Sequence, residues 1–142
     1  MDVRQITPEL SVTPQITPAE VAIASDMGFR TLICNRPDIE AGPDMDSAVM
    51  AKAAAEHGIT FHYLPYTPGE LTQELSEAFN AAYASAEKPI LAYCRSGTRS
   101  SHLWALNEAA SRPVDEIVAL AAKAGYDHAG LVPLLESISA SR

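Results

Sequence analysis

Two cysteines, Cys34 and Cys94, are too few for a disulfide scaffold, and no apolar run reaches the length of a membrane span. Basic residues are scarce. Ten Lys and Arg stand against 18 Asp and Glu, and the resulting net charge of −8 repels polyanions and argues against nucleic acid as a partner. His57, His62, His102 and His128 have no acid or cysteine at ligand spacing, so neither a metal site nor a cofactor is expected. The start, Met1-Asp2-Val3-Arg4-Gln5, lacks the apolar stretch of a secretory signal, which sets a cytoplasmic location and no membrane partner as the expectation. Internal repeats and low-complexity linkers are absent too, and 142 residues fit one domain over residues 1–142 with its own core. At 47% hydrophobic and 20% charged, the composition is that of an ordinary globular protein.

What the chain does have is one loop at odds with its acidic balance. Tyr93-Cys94-Arg95-Ser96-Gly97-Thr98-Arg99-Ser100 follows a short β-compatible run, Pro89 to Tyr93, and precedes a stretch with helical periodicity, Ser100 to Ala110. Gly97 permits a tight turn, and successive N–H groups of residues 95–100 can face an anion at the mouth of a helix. Arg99 and Arg95 add full positive charge, and the thiolate is the nucleophilic form of cysteine. The plain alternative is a buried cysteine ending a core strand. Such a cysteine needs no pair of arginines, glycine and three hydroxyls (Ser96, Thr98, Ser100) beside it, so Cys94 reads as a reactive thiolate with Arg99 as its anion-binding partner.

Strands and helices alternate around this loop. A strand at Leu10 to Thr13 leads to a capping box, Thr17-Pro18-Ala19-Glu20, and a helix stopping at Gly28. A strand over Phe29 to Cys34 opens into a polar loop, and helices are expected from Ser47 to His57 and from Leu71 to Ala86, separated by a strand from Ile59 to Leu64. Beyond Ser111-Arg112-Pro113 come helices over Val114 to Ala124 and Leu131 to Ser139. Repeated βα connections imply an α/β fold of three layers, a mainly parallel sheet covered by helices on both faces. Ligands in such sheets sit beyond the carboxyl ends of the strands. Asn35, Arg36 and Asp38 follow one strand end, Tyr66, Thr67 and Glu70 another, and Cys94 a third, so three loops converge.

Together, the Cys94 to Ser100 loop, the segment Asn35-Arg36-Pro37-Asp38 and the stretch Val12-Thr13-Pro14-Gln15-Ile16-Thr17 resemble the phosphatase-like domain of the beta-lactamase-hydrolase-like protein family, over residues 3 to about 110. The resemblance implies a protein-tyrosine-phosphatase-like fold. It also implies an activity labelled both phosphatase and sulfur transferase, and a persulfide dioxygenase-type partner, fused or adjacent.

Cysteine phosphatases place five residues between cysteine and arginine, usually with histidine before the cysteine. Here four residues, Arg95 to Thr98, separate Cys94 from Arg99, Tyr93 precedes, and the spacing resembles a rhodanese loop. A shorter loop makes a tighter cradle, suited to a persulfide or a small sulfur oxyanion. Phosphatases of this fold also carry an aspartic acid after the strand that precedes the long helix, to protonate the leaving group. Pro65 to Glu70 contains none. Glu70 or Asp38 could substitute, although Glu70 better fits a capping box with Thr67 and Pro68. The expectation is therefore sulfur transfer through a Cys94 persulfide. Phosphomonoester hydrolysis through a phosphocysteine is the alternative, and a catalytically silent anion- or persulfide-binding module the third reading. The ligand is a small sulfur or phosphate anion in each case. Arg36 and Asp38 read as a salt bridge, as substrate contacts or as a solvated turn, and His102 either as pocket wall or as helix surface. Cys34 reads as a small buried hydrophobe, with a regulatory disulfide to Cys94 as the alternative.

Overall fold

In a computed structural model, which describes residues 1–141, every strand is four residues long and the sheet is narrow. The strands are β1 (Arg4–Thr7), β2 (Leu10–Thr13), β3 (Thr31–Cys34), β4 (Thr60–Tyr63) and β5 (Ile90–Tyr93), in the order β1-β2-β5-β3-β4. Only the edge strand β1 runs antiparallel; β2, β5, β3 and β4 are parallel neighbours. The central strands read Leu-Ser-Val-Thr, Thr-Leu-Ile-Cys and Ile-Leu-Ala-Tyr and are buried throughout, as a sheet covered on both faces requires.

The helices are α1 (Pro18–Asp26), α2 (Asp38–Ala41), α3 (Ser47–Glu56), α4 (Gln73–Ser85), α5 (Thr98–Glu108), α6 (Val114–Lys123) and α7 (Val132–Ala140). On one face α1 and α3 pack Val21, Ala24, Met50 and Ala54 against Leu32, Leu91 and Tyr93. On the other, α4 to α7 bring Phe79, Trp104, Leu106, Ile117 and Leu135 against Ile33, Ile90 and Ala92. This is the expected three-layer α/β architecture. The Thr17 capping box is present in full, with Thr17 Oγ1 accepting from Glu20 N and Glu20 Oε1 accepting from Thr17 N.

Three short elements lie outside the expectation, one of them a single 3-10 turn at Ala129–Leu131. The strand β1 and the helix α2 are each four residues long, too short for a period to show. One expectation is corrected. Glu70 does not close a capping box: its backbone N–H bonds Thr67 O in a turn, and α4 starts later, with Thr72 Oγ1 accepting from Leu75 N.

The register decides where the site lies. Thr13, Tyr93, Cys34 and Tyr63 stand side by side at the carboxyl ends of β2, β5, β3 and β4. The residues that follow them, from Gln15, Asn35, Leu64 and Cys94 onward, therefore meet on one edge. Cys94 is central because β5 is the middle strand.

Candidate active site

Asn35 ties this edge together. Fully buried, it bonds Tyr93 O through its backbone N–H and accepts from Tyr66 N through its carbonyl. Its side chain donates to Leu64 O at 2.9 Å and accepts from Ser100 Oγ at 2.8 Å. The ends of β3, β4 and β5 and the first turn of α5 are thus joined through one residue. This is a structural duty, and it turns the Ser100 hydroxyl toward Asn35.

The reactive loop is a helix entrance. Gly97, at φ +92°, is the N-cap of α5, and its N–H points at Cys94 Sγ at 3.1 Å. A side chain is barred here twice over: the left-handed backbone disfavours one, and a Cβ would come within 2.2 Å of the Tyr126 hydroxyl. Arg95 O accepts from Gln15 N, Ser96 O accepts from the Tyr126 hydroxyl at 3.2 Å, and Ser96 Oγ bonds Thr98 Oγ1. Cys94 is completely buried within this ring, whereas Arg95, Ser96 and Thr98 are exposed at its rim.

Arg99 lies one turn further on. Its two terminal nitrogens grip the Glu40 carboxylate, Nη1 at 3.0 Å and Nη2 at 2.7 Å, and Nη1 also donates to Tyr66 O at 2.6 Å. Arginine has five N–H donors in one plane. Those contacts occupy both Nη1 hydrogens and one on Nη2, which leaves Nε–H and the second Nη2 hydrogen side by side, a pair matched to two oxygens of a tetrahedral anion. Burial opposes the guanidinium charge, but the Glu40 carboxylate and the Cys94 sulfur outweigh it and push the Arg99 pKa upward. In turn the hydrogen bonds from Arg99 hold Glu40 below the usual carboxylate range.

The other expected residues are distributed around this pair. Arg36 reaches Gln15 Oε1 at 3.2 Å and Glu40 at 3.6 Å, so it braces the carboxylate that braces Arg99. Asp38 makes no ion pair with Arg36; its oxygens accept from Ser47 N and Ser47 Oγ, both at 2.7 Å. Glu70 is exposed on its turn. Neither carboxyl group is hydrogen-bonded into the cradle. Cys34 is buried among Leu91 and Tyr93, its Sγ on Arg36 O at 3.4 Å, and both cysteines are free thiols. Desolvation raises the Cys34 pKa, which suits the small-hydrophobe reading.

His102 is half-buried on the Arg99 face of α5, three residues on, and its Nδ1 lies 3.4 Å from the Tyr66 hydroxyl. Beyond it His128 packs edge-on at 4.9 Å between ring centroids. Ser101 Oγ donates to Thr98 O, so its bond with His128 at 2.8 Å takes its hydrogen from Nε2 of the imidazole. Burial, and then the neighbouring His128, pulls the His102 pKa down to about 4.

Glu40, Tyr126 and His128 had no assigned role in the sequence. For Glu40 a signal was available: it stands four residues after Arg36, whose guanidinium reaches it across the N-terminus of α2. No local pattern announces Tyr126 or His128, whose contacts with the loop span 30 and 27 residues.

Residues 2–111 match the family model of the beta-lactamase hydrolase-like protein, phosphatase-like domain. The chain is 30% identical over 138 residues to the beta-lactamase hydrolase-like protein of Xylella fastidiosa (strain 9a5c), covering 96% of this chain but 32% of the relative. It thus spans about a third of that curated relative's length. Among solved structures, a Neisseria meningitidis protein provisionally described as a phosphatase is 36% identical, covers 97% of this chain and 99% of its own, and superposes with a TM-score of 0.82. The core catalytic domain of a PP-IP phosphatase from S. cerevisiae shares the fold at 13% identity, covering 96% of this chain and 84% of its own, with a TM-score of 0.69. The fold is protein-tyrosine-phosphatase-like, and the chain belongs to the family of the beta-lactamase hydrolase-like protein's phosphatase-like domain.

Proposed function

We propose that the protein hydrolyses phosphomonoesters through a Cys94 phosphocysteine. Cys94 Sγ attacks phosphorus, the ester P–O bond breaks, and water then cleaves the S–P bond to release phosphate. The paired Nε–H and Nη2–H of Arg99 hold two phosphoryl oxygens, and the α5 entrance, with Gly97 N at Sγ, supplies backbone donors. The observation that carries this reading is the Arg99 fork, fixed by Glu40 and Tyr66 with its remaining donors parallel: a four-residue spacing still builds a two-pronged oxyanion clamp. Likeness to the Neisseria protein supports the same class. Hydrolysis of p-nitrophenyl phosphate by wild type, abolished in Cys94→Ser and reduced by about a hundredfold or more in Arg99→Lys, is the expected result. Absence of turnover in wild type would overturn it.

Sulfur transfer is the second reading, because neither Asp38 nor Glu70 bonds into the cradle and a sulfur leaving group needs no acid. In that chemistry Cys94 attacks the outer sulfur of thiosulfate or a low-molecular-weight persulfide and a stable anion departs. A persulfide dioxygenase-type protein would be its partner.

A further inference from the structure

On the phosphatase reading, on which this inference rests, an alkoxide or phenoxide leaving group needs a proton, and both carboxyl candidates are engaged elsewhere or exposed. We propose that Tyr66 is the proton donor to the leaving group, with His102 as its positioning residue.

The backbone of Tyr66 is clamped from two sides. Its N–H donates to Asn35 O at 2.8 Å, and its carbonyl accepts from Arg99 Nη1. The residue is therefore locked to the anion-binding arginine itself, on the loop between β4 and α4. The residue is 6% exposed, and its hydroxyl meets His102 Nδ1, which rises from the same face of α5 as Arg99. Cys94 and Arg99 both lie near enough to act on the phenol: burial raises its pKa first, Arg99 opposes this, and Cys94 adds to it. At neutral pH the phenol thus retains its proton, as an acid must.

The proton can be followed. His102, neutral above about pH 4, carries one ring hydrogen. Placed on Nδ1, it donates to the Tyr66 oxygen and leaves the phenolic hydrogen free to point at the ester oxygen. As Cys94 Sγ bonds phosphorus and the P–O bond breaks, that hydrogen passes to the departing oxygen, giving a neutral alcohol. The Tyr66 phenolate is held by the Nδ1 hydrogen and the nearby Arg99 charge. In the second step water attacks phosphorus, the electrons of the S–P bond return to Cys94, and the phenolate takes the water's proton, restoring Tyr66. The contact of 3.4 Å is long for a finished hydrogen bond, as catalytic pairs commonly are before substrate closes the site.

The test varies the leaving group. p-Nitrophenol departs as a stable anion, whereas an alkyl phosphate such as glycerol phosphate must be protonated. Tyr66→Phe is expected to lower kcat/KM, which ends at departure of the leaving group and excludes the shared hydrolysis step, by about a hundredfold for the alkyl phosphate and by less than about fivefold for p-nitrophenyl phosphate, within the range of general-acid contributions. His102→Gln should give the same selectivity at smaller size. Equal losses on both substrates would make Tyr66 structural and overturn the proposal. A leaving-group series on wild type gives a reading that does not depend on either variant folding. A nearly flat dependence of kcat/KM on leaving-group basicity supports a donor, and a steep decline contradicts one. Failure of wild type on every phosphomonoester would sink the phosphatase reading itself, a result distinct from uniform loss in Tyr66→Phe.

Discussion

The Glu40 carboxylate takes both terminal nitrogens of Arg99, and without it the guanidinium can swing toward solvent. Glu40→Ala is expected to lower kcat/KM for p-nitrophenyl phosphate by about 10- to 100-fold, because misplacing a catalytic group costs this much. Glu40→Gln, which keeps one acceptor, should recover part of it, as steady-state kinetics will show. Gly97→Ala is harsher. The substitution forces a Cβ to 2.2 Å from the Tyr126 hydroxyl at φ +92°, and a loss of about 1–3 kcal/mol in denaturant unfolding, with activity falling alongside, is expected. The two histidines also make stability depend on pH. Burial lowers the pKa of both His102, to about 4, and His128. Above about pH 6.5 both are neutral folded or unfolded and contribute nothing to the pH dependence. Below that, the unfolded chain takes up protons that the native site refuses, so stability falls with pH and levels off only beneath the folded values. Among their neighbours Tyr66, Tyr126 and Ser101 supply no negative charge at these pH values, whereas Asp127 beside His128 opposes the lowering there without reversing it. Melting temperatures between pH 7.5 and 4.5 should decline in wild type and decline less in His102→Gln.

Among the elements, those with a chemical boundary signal were readable in advance. Thr17-Pro18-Ala19-Glu20 set the start of α1, and glycines at 28, 58 and 125 follow the ends of α1, α3 and α6. Elements without room for a period, β1 and α2, were not. That matters because α2 carries Glu40, and the polar loop expected there hid the residue that orients Arg99. The loop at Cys94 was legible as a strand–glycine–helix junction, since local chemistry builds it. Its closure was not, because Tyr126 and His128 arrive through packing of α6 and the turn that follows. At this scale Asn35 bears the most connections. Asn35→Ala leaves Leu64 O and Ser100 Oγ without their partners in a buried place, and a loss on the order of 2–4 kcal/mol in chemical denaturation is expected. Thr17→Ala, remote from the site, should cost only about 1 kcal/mol and leave turnover unchanged.

For the molecule as a whole, one acidic chain concentrates Arg36, Arg95 and Arg99 where its parallel strands end. The sheet register brings the loops together, and the helices on both faces make that edge rigid. Residues past the family match at 111 are part of this unit: Ile117, Ala121 and Leu135 are fully buried in the same core as Trp104, and Tyr126 locks the loop at Ser96. A chain ended at residue 111 is therefore expected to lose both cooperative unfolding and activity, measurable by thermal denaturation. Fold class was accessible from the βα alternation. The orientation of Arg99 was not, because counting four residues between Cys94 and Arg99 says nothing of which guanidinium donors remain once Glu40 and Tyr66 are satisfied.

Intact mass of the protein, quenched in acid while turning over an aryl phosphate, tests the central claim most directly. Wild type should carry an added phosphoryl group of about 80 Da that is missing from Cys94→Ser. No such adduct and no turnover, with about 32 Da gained instead from thiosulfate or glutathione persulfide, would contradict the phosphatase account and establish a Cys94 persulfide in its place.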